Sequence, residues 1–181
     1  MMEERTGVTK MEGTPVTLLG PQIKPGEQAP YFRCLDASLD EVSFSEFQGK
    51  VTILASVPSL DTTVCNKEAI RLNEVAEDLP IDQAAVVVVS MDLPFAQMRF
   101  VEDEEARSIH VLSDHRDASF GNAYGVLMKE HRLLCRAVFV ADRDGVIRYA
   151  EYVPEVSEFP DMDSMLRVVY RLLARPSEAA A

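Results

Sequence analysis

Two continuous apolar runs constrain most strongly what this chain of 181 residues can fold into. Residues 51–57 read VTILASV, and residues 84–92 begin with AAVVVVS. Runs this apolar and this rich in β-branched side chains predict strands that are buried on both faces. Such strands are typical of α/β proteins, in which helices cover both sides of a sheet.

Segments with helical periodicity lie between and after these runs. The first begins at Thr63 and ends before Pro80, and its apolar side chains fall on one stripe: Cys65, Ala69, Leu72, Val75 or Ala76, and Leu79. Residues 94–106 begin with a proline, which suits a first helical turn. Residues 161–174, which read DMDSMLRVVYRLLA, predict an amphipathic C-terminal helix.

Two hairpins complete the pattern. The first twenty residues place strands on either side of Glu12-Gly13, and residues 136–142 and 146–153 flank a turn that contains Gly145. This order predicts an α/β fold with a mixed central sheet, helices on both faces and an N-terminal β-hairpin. A thioredoxin-like fold fits it, and the pattern alone leaves a flavodoxin-like fold open.

Length and charge limit the classes of function. The length suits one globular domain over residues 1–181, with a hairpin over residues 1–20 and a flexible tail over residues 175–181. The net charge of −12 argues against nucleic acid and against anionic membranes, which need a basic face. No apolar run approaches the roughly 20 residues that span a bilayer. The first residues carry no apolar signal segment, so we expect a cytoplasmic protein.

The three cysteines, Cys34, Cys65 and Cys135, lie far apart and form no disulfide framework. The chain has no CxxC pair and its three histidines are scattered, so we expect no zinc site and no other cofactor. The remaining interpretation is a protein of a reducing compartment in which one thiol is reactive.

Cys65 lies in the first turn of the predicted helix, after the two N-cap candidates Asp61 and Thr62. Only a thiolate is a good nucleophile, and the unpaired N–H groups of a helix start supply part of the stabilisation that it needs. A nearby cation is needed as well, because the stripe that carries Cys65 faces the core. Position alone leaves a second interpretation open, in which Cys65 is a small apolar side chain packed under a helix.

The residues around Cys65 resemble a known family. Pro58-x-x-x-Thr62-x-x-Cys65 is similar to the active-site motif of the peroxiredoxins, and the string SVPSLDTTVC resembles their thiol peroxidase (atypical 2-Cys) branch. The strings DLPFAQMRF, AYGV and RAV agree with that branch. The resemblance extends from about Gly13 to the C-terminal helix, nearly the whole chain.

The resemblance implies a thioredoxin-like fold, a homodimer and the reduction of hydrogen peroxide or alkyl hydroperoxides. Cys65 would attack the peroxide and become a sulfenic acid, with Thr62 placing its hydroxyl beside the bound peroxide. Pro58 would shield the thiolate from water, and Arg136 would contact the thiolate and the O–O bond. In the alternative interpretations Thr62 only caps the helix, Pro58 only ends a strand and Arg136 is a surface charge.

The chain departs from the family that it resembles at the position of the resolving cysteine. Most thiol peroxidases have a cysteine immediately after DLPFAQ-x-RF, where this chain has Val101. Cys135 should face away from Arg136, because successive strand residues point to opposite faces. We expect structural roles for Cys34 and Cys135, and hence reduction of Cys65 by an external thiol, either a small thiol or a thioredoxin-like protein.

Other functions remain open at this point. A non-enzymatic peroxide sensor or redox-relay protein would use the same oxidation of Cys65 but would pass it to a partner. A flavodoxin-like binding protein is less favoured, because no Gly-rich phosphate loop follows the strands.

Overall fold

The two apolar runs form neighbouring parallel strands at the centre of a seven-stranded sheet. The structure, a computed structural model, describes residues 3–174, so the predicted tail 175–181 and the first two residues of the predicted hairpin lie outside the described residues. The strands are β1 (Glu4–Met11), β2 (Thr14–Leu19), β3 (Arg33–Leu35), β4 (Glu41–Ser43), β5 (Val51–Ser56), β6 (Ala84–Ser90), β7 (His110–Ser113), β8 (Leu127–Met128), β9 (Ala137–Ala141) and β10 (Ile147–Tyr152). The helices are α1 (Thr63–Asp78), α2 (Pro94–Asp103), α3 (Ser119–Ala123) and α4 (Met162–Leu173), with a 3-10 helix at Phe44–Phe47.

The main sheet has the order β10-β9-β5-β6-β7-β3-β4. β6 pairs in parallel with β5 and β7, whereas β9 pairs antiparallel with β5 and with β10. Every residue of β5, β6 and β9 is buried, as expected of strands covered on both faces. The predicted mixed α/β sheet of thioredoxin-like type is confirmed.

The side chains of the sheet separate into two apolar clusters, one on each face. On one face, Ile53, Val88 and Val140 pack with α1, α4 and part of α2. On the other face, Leu54 and Phe139 pack with α3 and the N-terminal hairpin. The prediction of helices on both faces is confirmed, and the two clusters separate the parts of the chain that carry the three cysteines.

Helix α1 follows its predicted stripe closely. Thr62 is the N-cap residue and Leu79 the C-cap residue, so the helix ends before Pro80 as predicted. The buried side of the helix also carries two polar residues, Glu68 and Asn73. The side-chain oxygen of Asn73 accepts a hydrogen bond from the N–H of Ser108 at 2.8 Å. Glu68 belongs to the site described below.

The structure differs from the sequence-based expectation at three places. The β1–β2 hairpin forms a separate three-stranded sheet with β8, a two-residue strand too short to have a recognisable pattern. Helix α2 ends at Asp103 rather than at residue 106, because Glu105 adopts a left-handed φ of 52° and carboxylates disfavour the negative C-terminal end of a helix. Strand β6 ends at Ser90, which leaves Asp92 in the following loop. No helix among residues 3–174 is long and apolar enough to cross a membrane.

Gly125 provides a test of how tightly the segment between α3 and β8 is packed. Its φ is +62°, and a Cβ atom there would lie 1.9 Å from the carbonyl oxygen of Pro21. We expect Gly125→Ala to lower the free energy of unfolding by about 3 kcal/mol or more, through backbone strain and displacement. The matched control is Gly13→Ala, where φ is +77° and the space is open. That change should cost only about 1–2 kcal/mol. Urea unfolding followed by circular dichroism measures both, and equal losses would contradict this account.

Candidate active site

The loop between β5 and α1 (residues 57–62) holds the motif that precedes Cys65. Its start continues the sheet, because the N–H of Val57 donates to the Val89 carbonyl at 3.0 Å. Pro58 is buried directly after it. Asp92 holds the middle of the loop, since its carboxylate accepts the Ser59 hydroxyl at 2.7 Å and the Leu60 N–H at 2.8 Å. The loop therefore enters α1 along a defined path.

Cys65 lies in the first turn of α1 with 1% of its surface exposed. The guanidinium of Arg136 lies against it, and Nη2 donates to the Cys65 Sγ at 3.2 Å. Arg136 reaches this place because it directly precedes β9, whose first residue, Ala137, pairs with Ser56 at the end of β5. The cation that the sequence argument requires thus lies beside the thiol, and the alternative that Arg136 is a surface charge is wrong.

Arg136 is 1% exposed, and all three of its guanidinium nitrogens have partners. Nε donates to the Val156 carbonyl at 2.9 Å, and Nη1 pairs with the Glu68 carboxylate. Glu68 is fully buried in α1, one helical turn after Cys65 on the same side of the helix. Its carboxylate offsets the cost of burying the guanidinium and fixes the orientation of the nitrogen that faces the thiol.

Glu68 was not among the predicted site residues. A signal was present in the sequence, since a glutamate three residues after Cys65 falls on the apolar stripe of the helix. Its Oε1 is buried and has no hydrogen-bond partner among the described residues. A buried carboxylate with one bonded and one open oxygen is costly, which indicates that Glu68 is held there by Arg136.

Thr62 is the N-cap residue of α1 by position, but its hydroxyl makes no capping hydrogen bond. Instead Oγ1 donates to the Ser59 carbonyl at 2.9 Å, within the loop itself. The interpretation of Thr62 as a side-chain cap is therefore wrong. Thr62 is an exposed residue at the start of the helix whose first turn contains Cys65.

Comparisons with known proteins agree with this geometry. The family model described as Redoxin matches residues 24–166. The chain belongs to the redoxin family. It is 45% identical over 162 residues to the thiol peroxidase of Bacillus subtilis, covering 90% of this chain and 96% of that protein. It is also 45% identical over 152 residues to the thiol peroxidase of Staphylococcus saprophyticus, covering 84% of this chain and 91% of that protein.

Solved structures agree as well. A peroxiredoxin-like protein from Aquifex aeolicus matches with a TM-score of 0.85 and 38% identity, covering 94% of this chain and 98% of that one. A thiol peroxidase from Chromobacterium violaceum matches with a TM-score of 0.80 over 90% of this chain and 95% of that one; at 19% identity it supports the fold alone. The predicted membership of the peroxiredoxin superfamily is confirmed.

The other two thiols of this redoxin lie on the opposite face of the sheet. Cys34 and Cys135 belong to the apolar cluster of the hairpin and α3, and Cys65 to the cluster of α1 and α4. The expectation that Cys135 faces away from Arg136 is confirmed. Burial raises the pKa of Cys135 to about 12. Burial, and after it the carboxylate of Asp114, also raise the pKa of the Cys34 thiol far above its usual value. Both thiols are protonated at neutral pH and are poor nucleophiles.

Val101, where the resemblance implies a resolving cysteine, is half-buried in α2 and packs against the cluster that contains Cys65. A valine has no group that could react with a sulfenic acid. A cleft of about 320 Å³ opens between the start of α1 and the end of α2. It is lined by Leu60, Asp61, Thr62, Thr63, Asn66, Arg99, Phe100, Asp103 and Glu104. Its residues Thr62 and Asn66 lie three residues before and one residue after Cys65, so this cleft borders the turn of α1 that carries the thiol.

The pairing of Glu68 with Arg136 can be tested by stability alone. Arg136→Met leaves the buried carboxylate without its cation, so we expect it to cost about 3–5 kcal/mol of the free energy of unfolding. The double variant Glu68→Gln/Arg136→Met removes both charges and should regain about 2 kcal/mol or more of that loss. Urea unfolding at pH 7 of the wild type, both single variants and the double variant gives the coupling energy. A double variant no more stable than Arg136→Met would contradict the pairing.

Proposed function

We propose that this redoxin is a thiol-dependent peroxidase that reduces hydrogen peroxide or alkyl hydroperoxides through Cys65. The observation that carries the proposal is the buried guanidinium of Arg136, which donates to the Cys65 Sγ at 3.2 Å at the start of α1. Relatives 45% identical over most of their length are thiol peroxidases, which supports the same reaction here. The alternative of a non-enzymatic sensor is not favoured.

In the first step the Cys65 thiolate attacks one peroxide oxygen. An S–O bond forms, the O–O bond breaks, and the departing oxygen takes up a proton and leaves as water or an alcohol. The sulfur is oxidised to a sulfenic acid and the peroxide is reduced. Arg136 stabilises the thiolate before the attack and the charge on the oxygens during it, because its N–H donors are already fixed in place.

Thr62 and Pro58 prepare the peroxide for attack. The hydroxyl hydrogen of Thr62 is directed to the Ser59 carbonyl, so the lone pairs of Oγ1 are free to accept the O–H of a peroxide. Such a hydrogen bond would orient the O–O bond towards the sulfur. The buried ring of Pro58 keeps water from the same space.

In the second step an external thiol regenerates Cys65. The thiol attacks the sulfenic acid, a mixed disulfide forms and water leaves; a second thiol then displaces Cys65 and leaves as a disulfide. Neither Cys34 nor Cys135 serves as the resolving group, because both lie on the opposite face of the sheet. Cys65 is only 1% exposed, so the residues that cover it must move before an external thiol reaches the sulfur.

We also assign the protein, as a single domain over residues 1–181, to the cytoplasm and to a homodimer formed near the active-site loops. Three large apolar side chains near the start of α2 support the dimer, since Leu93, Phe95 and Met98 are exposed. Three unbridged cysteines suit a reducing compartment. The chemistry above needs no cofactor or metal, and the acidic charge disfavours nucleic acid and membrane partners.

The reaction is tested by peroxide consumption with thioredoxin, glutathione or dithiothreitol supplied in turn. Cys65→Ser should abolish turnover with every thiol, and Thr62→Val should slow it roughly 10- to 100-fold through loss of an oriented hydrogen bond. Cys135→Ser is the matched control and should retain activity, because that thiol faces the other side of the sheet. Activity retained in Cys65→Ser, or a single stoichiometric oxidation of the wild type without turnover, would contradict the proposal.

The one-cysteine route makes a separate prediction. Peroxide added without a thiol should convert the protein to a species that is heavier by one oxygen atom and contains no disulfide. Intact mass measured under non-reducing conditions distinguishes the two products, since a disulfide loses two hydrogen atoms instead. A disulfide-bonded monomer or dimer would show that another cysteine resolves Cys65.

A further inference from the structure

Asp92 has a position and a set of partners that the mechanism above does not use. It lies in the loop after β6, two residues beyond the end of the strand at Ser90. Its Oδ1 accepts the Ser59 hydroxyl at 2.7 Å, and its Oδ2 accepts both the Leu60 N–H and the Ser90 hydroxyl at 2.8 Å. One carboxylate thus links the end of the central strand β6 to the loop that carries the active-site motif.

Ser59, which is bonded to Asp92 through its hydroxyl, is also bonded to Thr62 through its carbonyl. The Ser59 carbonyl accepts the Thr62 N–H at 3.0 Å and the Thr62 hydroxyl at 2.9 Å. The Thr62 carbonyl in turn accepts the N–H of Asn66 at 2.9 Å, which closes the first turn of α1 around Cys65. Asp92 therefore sets the position of Ser59, which sets the position of Thr62 and of the turn that contains Cys65.

Asp92 is also bonded, through Ser90 and Ser113, to the central sheet and to α2. Ser90 is fully buried, and its hydroxyl accepts a hydrogen bond from the Gln97 side chain at 2.9 Å. The same Gln97 nitrogen donates to the Leu112 carbonyl in β7 at 2.8 Å. The Ser113 hydroxyl donates to the backbone carbonyl of Asp92. A carboxylate held by the sheet and by α2 is a fixed point from which the loop can be positioned.

The two steps of the reaction place opposite demands on this loop. Peroxide attack needs Thr62 held at the start of α1 and Arg136 held against Cys65, which is the arrangement of this structure and is called the closed loop here. Attack by an external thiol needs the sulfur uncovered, and Cys65 is almost fully buried in the closed state. Hydrogen bonds to a carboxylate are stronger than neutral ones, so the contacts of Asp92 favour the closed loop.

We propose that Asp92 is a positioning residue that holds the loop over Cys65 closed, and that it thereby accelerates peroxide attack and slows access of the external thiol. The effect on the two steps rests on the proposed peroxidase function. The effect on exposure of Cys65 does not, since it is a property of the resting protein.

Alkylation of the reduced protein tests exposure directly. In Asp92→Asn the carboxylate charge is lost, and we expect iodoacetamide to modify Cys65 about tenfold faster or more, as for the loss of a charged hydrogen bond. Ser59→Ala removes one of the contacts and should give a smaller increase. Peptide mass spectrometry follows each cysteine separately, so Cys34 and Cys135 report any general unfolding.

The two half-reactions test the consequence for catalysis. Asp92→Asn should form the sulfenic acid about tenfold more slowly or worse, and its preformed sulfenic acid should react with dithiothreitol faster than that of the wild type. Rapid quenching and intact mass give both rates. The matched control is Asp142→Asn, because Asp142 also accepts turn N–H groups, at 3.0 and 2.9 Å, but lies at the far end of β9. That end is roughly 20 Å along the strand from Arg136.

The outcomes separate the two proposals. Faster alkylation of Cys65 alone, with opposite changes in the two half-reactions, supports the role of Asp92. Asp92→Asn indistinguishable from Asp142→Asn, slower in both half-reactions, or equally faster in alkylation of all three cysteines overturns it. A wild type that forms no sulfenic acid at Cys65 contradicts the proposed function instead, and the alkylation result still decides whether Asp92 holds the loop.

Discussion

The rest of the site depends on the hydrogen bonds of one buried group, the guanidinium of Arg136. A cation with 1% exposure would destabilise the protein if it lacked partners, so its surroundings must supply them. Glu68 supplies a carboxylate, Val156 a carbonyl and Cys65 a thiol. These partners come from α1 and from the segment after β10, which the sheet brings together at the start of β9. The packing of β9 beside β5 is therefore also what gives the thiol its cation.

Much of this arrangement could be predicted from the sequence, because it follows from short-range periodicities. The apolar runs predicted the buried strands β5 and β6, and the spacing of apolar residues predicted the side of α1 that carries Cys65. Strand alternation predicted that Arg136 and Cys135 face opposite sides. The assignment of Arg136 to Cys65 came from the family motif, because no local pattern links residues so far apart.

The features that were missed depend on contacts between distant segments or on small local details. Glu68 reads as one more charged residue in a helix until Arg136 is known to lie opposite it. The sequence pattern extends the strand to Asp92. The hydrogen bonds to Ser59 and Leu60 that hold Asp92 in the loop form only after β5 and β6 have paired, so no local pattern reveals them. Strand β8 has two residues and is defined by its partner β2 rather than by its own sequence. Tertiary contact, and not local propensity, decides each of these cases.

The separation of the thiols by the central sheet gives the chain a simple redox description. Cys34 and Cys135 lie under one apolar layer and Cys65 under the other, so Cys65 cannot exchange with either of the other two sulfurs without crossing a packed sheet. In the proposed one-cysteine reaction, the redox state of the chain is therefore the state of Cys65 alone. In that reaction a sulfenic acid at Cys65 has no second thiol on its own face of the sheet to which it can pass the oxidation, so a thiol from outside the chain must reduce it.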